Sequence, residues 1–170
     1  MNKGHKFPYE YDKYDGFMEF EIDGENLHRF LRDKKDRVLM DHVVGLLGLL
    51  SRSYDELIIR YLLKKEISKS DIISAFARYG DDIEESSVVS RVHMEFNREY
   101  VMLYGCRACL DCHSLGPSVG KHQHHYTWHF KWGATLIFKK EEYERELLAY
   151  LSKIRNHSFT LEESIGLYQF

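Results

Sequence analysis

Cysteines and histidines are concentrated between Cys106 and His129. The segment reads CRACLDCHSLGPSVGKHQHHYTWH, and it holds every cysteine and half of the ten histidines of the chain. Thiolate and imidazole are the ligands that zinc prefers in structural sites. This segment is therefore the first place to look for chemistry.

The cysteine spacing is C-x-x-C-x-x-C, in which each step lets two sulfurs converge on one tetrahedral ion. Zinc or another divalent metal would draw its ligands from a set of six candidates: Cys106, Cys109, Cys112, His113, His122 and His124. All six come from one local segment, whereas structural zinc sites usually combine two knuckles that lie far apart in sequence. We therefore take the absence of a cofactor as the first interpretation, and zinc as the alternative.

The stretch from Cys109 to His113 also spells C-x-x-C-H, the attachment motif of c-type haem. Covalent attachment normally requires export, and the N-terminus MNKGHKFPYEYDKYDG lacks the apolar region of a signal peptide. We therefore expect no haem.

The histidine-rich stretch QHHYTWHFKW alternates as a strand does. Extended by one residue to HQHHYTWHFKW, such a strand would place His122, His124, Tyr126, Trp128 and Phe130 on one face, and His125, Thr127 and His129 on the other. A histidine beside an acid titrates near neutrality and can act as a general base. A metal-independent hydrolase that uses His124 or His129 is therefore a second alternative.

Ordinary packing explains the same residues without any chemistry. Free cysteine is among the most buried residue types, so that Cys106 and Cys109 would fill the end of a sheet after VMLYG. Histidines next to tyrosine and tryptophan often pack edge-on and make one hydrogen bond. The sequence favours this interpretation over a metal site.

Two other segments carry acidic and aromatic side chains that suit a protein interface. One contains Tyr9, Tyr11 and Tyr14, and the other contains Asp81, Asp82, Glu84 and Glu85. Tyrosine supplies a large contact area at low entropic cost, and acids suit a basic partner such as a nuclease. We predict that these seven residues bind a partner protein.

The sequence lacks the motifs of several enzyme classes. The nucleotide-binding, serine-hydrolase and zinc-protease motifs are all missing from it.

Apolar periodicity predicts the elements that position these residues. Alternation predicts strands at 17–24, 88–96, 99–105, 123–132 and 134–138. Helical spacing predicts helices at 25–33, 38–50, 56–65, 71–80 and 141–154. The expected fold is α+β: a mostly antiparallel sheet, a central helical block and a C-terminal amphipathic helix.

Local signals predict where several helices begin and end. Ser53 with Glu56 and Ser68 with Asp71 have the spacing of capping boxes. Gly80 is placed to end the helix that follows Ser68.

Length and composition indicate one domain over residues 1–170, with an irregular N-terminal arm at 1–15. The net charge of −3 gives no general affinity for polyanions, so nucleic acid is not an expected partner. No apolar run approaches the ~18 residues that span a bilayer, and no membrane partner is expected. The sequence predicts a cytoplasmic protein; its oligomeric state stays open.

The stretches LYGCRACLDC, YTWHF and FKKEEYERELLAYL follow one another in the C-terminal third. Their order resembles small bacterial cytoplasmic proteins in which a Cys-rich turn precedes an aromatic strand and an amphipathic helix. The small, mildly acidic, Tyr-rich chain also resembles immunity proteins of bacterial toxin–immunity systems. The resemblance implies a protein-interaction module that binds and neutralises a toxin, rather than an enzyme. It carries over no site residues.

Overall fold

The computed structural model describes residues 19–34, 36–47, 50–80, 83, 86–106, 108–109, 114–131, 133–156 and 167–169. Their helices are α1 (Leu27–Lys34), α2 (Arg37–Asp41), α3 (Arg52–Leu62), α4 (Lys69–Arg78), α5 (Ser86–Phe96) and α6 (Lys140–Asn156). Their strands are β1 (Glu19–Ile22), β2 (Glu25–Asn26), β3 (Val43–Gly45), β4 (Tyr104–Cys106), β5 (Ser118–Lys121), β6 (His125–His129), β7 (Thr135–Lys139) and β8 (Leu167–Gln169).

The strands form small sheets ordered β2-β1-β8, β3-β4 and β5-β6-β7. Every described pair is antiparallel except β1 with β8, which is parallel. The α+β class with mostly antiparallel pairing is therefore confirmed. Helices α3 and α4 of the predicted central helical block lie between the strands in sequence.

The predicted first strand is confirmed as β1, and Asp23-Gly24 turns the chain into β2. Both turn residues have positive φ angles, 51° and 78°. This is the pattern of a tight hairpin turn, in which glycine adopts the left-handed region without a steric penalty. Helix α1 follows directly and buries Leu27 and Leu31 completely.

Helix α4 begins and ends where the sequence predicts. The Ser68 amide donates to Asp71 Oδ2, and the Asp71 amide donates back to Ser68 Oγ, which completes the capping box. Gly80 follows the helix with a φ of 75°.

The predicted cap at Ser53 is wrong. Helix α3 begins two residues earlier, because Ser51 Oγ accepts a hydrogen bond of 3.2 Å from the Tyr54 amide. Ser53 is fully buried inside the helix. Glu56 is buried as well, and its carboxylate bonds to side chains rather than to a helix N-terminus.

The predicted helix over residues 38–50 is also wrong. The chain forms the short helix α2, capped by Asp36, and then β3, which pairs with β4. Val43 and Val44 favour extended backbone because branching at Cβ restricts the side chain in a helix. The pairing strand lies about sixty residues away in sequence, so the local pattern did not reveal it.

The predicted strand at residues 88–96 is a helix, α5. Its buried residues are Val89, Val92 and Phe96, which follow helical spacing, while Met94 is 62% exposed. Val88, Val92, Met94 and Phe96 also fit a period of two, and the β-branched valines favour a strand, so the sequence prediction was misled.

The strands at 123–132 and 134–138 are confirmed as β6 and β7, and the C-terminal amphipathic helix is confirmed as α6. The predicted stripe of α6 is buried: Tyr143, Leu147, Leu151 and Ile154. Trp128 Nε1 donates to the Tyr143 hydroxyl at 2.8 Å, and that hydroxyl donates to the Leu62 carbonyl at 2.7 Å. Because the last carbonyls of a helix lack partners within it, this chain of bonds ties the end of α3 to α6 and the sheet.

Candidate functional site

The cysteines that the structure describes lie at the end of β4. Cys106 is buried and pairs with Val43 across the strands, and its sulfur accepts from the Ala108 amide at 3.4 Å. Cys109 is exposed in the turn that follows. Cys112 and His113 lie outside the described residues, so their part in the metal prediction stays a prediction.

His122 and His124 belong to a different part of the fold from the described cysteines. The cysteines lie at and after the end of β4, which pairs with β3, whereas the two histidines follow β5, which pairs with β6. Both histidines lie in the β5–β6 turn. Among the described residues, no three His, Cys, Asp or Glu side chains are placed to hold a metal ion together.

The predicted face for His122 and His124 is wrong, because β6 begins only at His125. His122 stacks on His125, with ring centroids 4.4 Å apart, and its Nε2 lies 3.4 Å from Thr127 Oγ1. Gly120 leaves room for this arrangement, since a Cβ there would lie 2.5 Å from Thr127 Oγ1. His122 therefore joins the outer face of the sheet, opposite the buried Tyr126 and Trp128.

The two histidines of the hydrolase alternative are both exposed. His129 Nδ1 bonds to the Thr135 hydroxyl at 2.9 Å. His124 lies in the turn, where its carbonyl accepts from the Lys140 amide at 3.1 Å. A general base needs an acid that orients it and a cleft that receives substrate. Among the described residues neither imidazole bonds to a carboxylate, so the geometry gives that alternative no support.

The predicted partner-binding residues lie outside the described residues: Tyr9, Tyr11, Tyr14, Asp81, Asp82, Glu84 and Glu85. The structure does describe Ile83, at the centre of the acidic segment. Ile83 is partly buried and packs against the hydrophobic core. Ile83 therefore contacts the body of the protein, and it is the one described residue of the acidic connector (residues 81–85).

A buried carboxylate joins three helices near this connector. Glu56 of α3 is completely buried and accepts hydrogen bonds from Arg78, from the Tyr79 hydroxyl at 2.5 Å and from Arg155 Nη2 at 2.9 Å. Burial alone would raise the pKa of Glu56, but the bonds from Arg155, Tyr79 and Arg78 outweigh it and hold the pKa below its usual value. We call these four residues the Glu56 cluster.

Arg52 extends the Glu56 cluster toward the end of α6. Its guanidinium lies 4.6 Å from the centre of the Tyr79 ring and donates from Nε to the Ile154 carbonyl at 3.0 Å. It also donates to the Arg155 carbonyl at 3.1 Å. A cation at the last carbonyls of a helix is stabilising, so these contacts hold the cluster together as a structural unit.

A pocket of about 110 Å³ lies between α3, α5 and residues 98–102. We call it the α3–α5 pocket. Its apolar wall includes Leu46, Leu50, Ile58 and Phe96. Its polar groups are Tyr54, Glu95, Arg98, Tyr100 and Ser114. An apolar concavity with a few converging polar groups is the usual form of a ligand site.

The polar pairs in this pocket are loosely bonded. The Tyr54 hydroxyl lies 3.4 Å from Glu95 Oε2, and the Tyr100 hydroxyl lies 3.5 Å from Ser114 Oγ. Both distances exceed the 2.5–3.0 Å usual between two oxygens. Burial, and then the charge of Glu95, raises the pKa of Tyr54 to about 12.

Comparison with known proteins adds no relative. No protein-family model, no curated protein and no solved structure matches the chain. In the part of the chain that the structure describes, no helix has both the length and the apolar character needed to cross a membrane.

Sequence reasoning missed both the Glu56 cluster and the α3–α5 pocket. Arg155 lies 99 residues after Glu56, and nothing in the local pattern links them. A usable signal existed for the pocket: Glu95 and Arg98 follow one another closely at the end of an apolar segment. The sequence prediction made that segment a strand, and therefore did not indicate that Glu95 and Arg98 line the same pocket.

Proposed function

We propose that this protein is an immunity-type protein that binds and neutralises a partner toxin. The observation that carries the proposal is that Ile83, at the centre of the acidic connector in sequence, packs partly buried against the hydrophobic core. The connector holds four carboxylates within five residues: Asp81, Asp82, Glu84 and Glu85. Because Ile83 ties the centre of this segment to the body, binding would require less ordering of the chain than a free loop does.

The charge of the connector defines the partner's chemistry. Four clustered carboxylates attract a basic surface and steer its approach, and a like-charged surface is rejected. Toxins that act on nucleic acid must themselves present a basic surface to phosphate. The proposed partner is therefore a basic protein, such as a nuclease toxin, whose positive site the connector covers. Tyr9, Tyr11 and Tyr14 are proposed as a second contact segment.

Affinity purification from the native host tests the proposal, together with inspection of the neighbouring gene. We expect one stoichiometric basic partner that the adjacent gene encodes. Co-expression of the present protein should suppress the toxicity of that partner. A variant that neutralises the connector should bind at least about tenfold more weakly and respond less to salt. It carries these changes: Asp81→Asn, Asp82→Asn, Glu84→Gln and Glu85→Gln.

A charge-matched variant controls for net charge alone. It replaces four exposed glutamates elsewhere: Glu66→Gln, Glu99→Gln, Glu141→Gln and Glu142→Gln. We expect this control to bind the partner within about twofold of the unaltered protein, since rim charges remote from a contact contribute little. Equal loss in both variants would refute the connector as the binding surface. Recovery of no stoichiometric partner, with no toxin gene adjacent, would refute the function.

A further inference from the structure

The α3–α5 pocket is lined by one acidic and one basic side chain that do not form a salt bridge with each other. Glu95 lies in the last turn of α5, and Arg98 follows the helix by two residues. Among the described residues, neither side chain forms a salt bridge. The one hydrogen bond of the Glu95 carboxylate within that set is the long contact with Tyr54. Two opposite charges thus line the same cavity with their bonding capacity largely unused.

The backbone around Arg98 is fixed. The Tyr61 hydroxyl donates to the Arg98 carbonyl at 2.8 Å. Tyr61 itself is buried on α3. Arg98 therefore starts from a defined position at the rim, and its exposed guanidinium has the planar set of donors that suits a carboxylate.

The apolar wall sets the size of the occupant. An engineered cavity of about 150 Å³ in another protein accepts benzene, and this pocket measures about 110 Å³. A branched side chain of three or four carbons fits that space, and an indole does not. Leu46, Leu50 and Ile58 offer such a side chain a purely aliphatic contact.

We propose that the α3–α5 pocket binds a free α-amino acid with a branched aliphatic side chain. Glu95 accepts from the ammonium group, Arg98 donates to the carboxylate, and the side chain enters the apolar wall. The hydroxyls of Tyr100 and Ser114, 3.5 Å apart, separate to take hydrogen bonds from or to the ligand. The ligand thereby satisfies the two charges together, which a singly charged molecule cannot do.

Titration of the full-length protein with L-leucine by calorimetry tests the proposal. We expect saturable one-to-one binding and a rise of the melting temperature with L-leucine concentration. Isoamylamine lacks the carboxylate and 4-methylpentanoate lacks the ammonium. Each should bind at least about tenfold more weakly than L-leucine, because each leaves one charged side chain of the site without an oppositely charged partner. L-Tryptophan should not bind.

Two variants with matched controls locate the site. Glu95→Gln and Arg98→Gln should each weaken L-leucine binding at least about tenfold. Glu99→Gln and Arg91→Gln remove the same charges from exposed neighbours that do not line the pocket, and both should bind as the unaltered protein does. Thermal unfolding followed by calorimetry or by circular dichroism confirms that each variant is folded.

Three results would overturn the proposal. They are no L-leucine binding at 10 mM (about ten thousandfold above a Kd of about 1 μM), equal losses of binding in the control variants, and binding of the two truncated ligands equal to that of L-leucine. The pocket lies at the C-terminal end of α5, whereas the acidic connector precedes the first residue of α5 in sequence. Loss of ligand binding therefore leaves the proposed toxin interaction intact, and the reverse also holds.

Discussion

Glu56 and Glu95 lie on helices that contact each other, α3 and α5, yet their surroundings are opposite. Glu56 is completely buried and accepts from two arginines and a tyrosine. Glu95 is half-buried and makes one long contact, with Tyr54, among the described residues. A carboxylate whose donors are already in place stabilises the fold. A carboxylate left with spare bonding capacity is available to a ligand.

Each of these glutamates also has a tyrosine partner, which makes the comparison close. Tyr79 donates to Glu56 at 2.5 Å, whereas Tyr54 lies 3.4 Å from Glu95. The pKa of each phenol is raised to about 12, and burial is the largest cause in both. The two phenols differ in the length of the hydrogen bond to their glutamate, and matched substitutions can separate the two roles.

The largest expected effect is that of removing the buried carboxylate. Glu56→Ala should lower the free energy of unfolding by about 3 kcal/mol, since it leaves two arginines and a tyrosine without their common acceptor. Glu95→Ala should lower it by less than about 0.5 kcal/mol. Urea denaturation at pH 7 measures both. Comparable losses would show that Glu95 is also structural.

The tyrosine hydroxyls should differ in the same direction. Tyr79→Phe keeps the ring under Arg52 but removes a hydrogen bond to a charged group, which should cost about 1.5 kcal/mol. Tyr54→Phe removes a long contact and should cost less than about 0.5 kcal/mol. The same denaturation assay applies. A larger loss for Tyr54→Phe would reverse our assignment of the two sites.

Acid should weaken the Glu56 cluster selectively. The folded pKa of Glu56 is lowered from its usual value of 4.5, so its contribution is present above pH 4.5 and is lost as pH falls through the folded pKa. The stability gap between the unaltered protein and Glu56→Gln should therefore narrow below about pH 4.5. Other acids with lowered pKa values, Asp71 and Glu144, cancel in this difference. A gap that stays constant down to pH 3 would contradict the assignment.

The smallest expected effect concerns ionisation of the two phenols. Tyr54 and Tyr79 should stay protonated at pH 10.5, because their pKa values are raised to about 12. Glu95→Gln should lower the pKa of Tyr54 only slightly, since burial outranks the charge of Glu95. Carbon-13 NMR of ring-labelled tyrosine measures this, with Tyr54→Phe and Tyr79→Phe for assignment. Stability should fall above pH 10, where the unfolded phenols ionise and these do not.

Local signals in the sequence predicted the parts of the fold that depend on neighbouring residues. The Asp23-Gly24 turn, the Ser68 capping box and the stop at Gly80 each involve contacts within four residues. The stripe of α6 repeats often enough to mark its buried face. These features follow from backbone preferences and periodicity, which one segment of chain carries by itself.

The segments at 38–50 and 88–96 were predicted wrongly for a related reason. Both are rich in apolar and β-branched residues whose spacing fits two periods. In the segment 38–50, the pairing of β3 with β4 stabilises a strand. In the segment 88–96, the burial of Val89, Val92 and Phe96 on one face stabilises a helix. Long-range contacts overrule a local preference that is worth only tenths of a kcal/mol per residue.

The sequence by itself determined the α+β class, the mildly acidic charge and the place of the acidic connector after the helix that ends at Gly80. Only the tertiary structure decided that the carboxylate of Glu56 has its hydrogen-bond donors in place and that the carboxylate of Glu95 has bonding capacity left for a ligand. Glu56 meets Arg155 from 99 residues away, and the α3–α5 pocket forms where α3, α5 and residues 98–102 come together. Hydrogen bonds and cavities depend on distances in space, and the order of residues along the chain does not specify those distances locally.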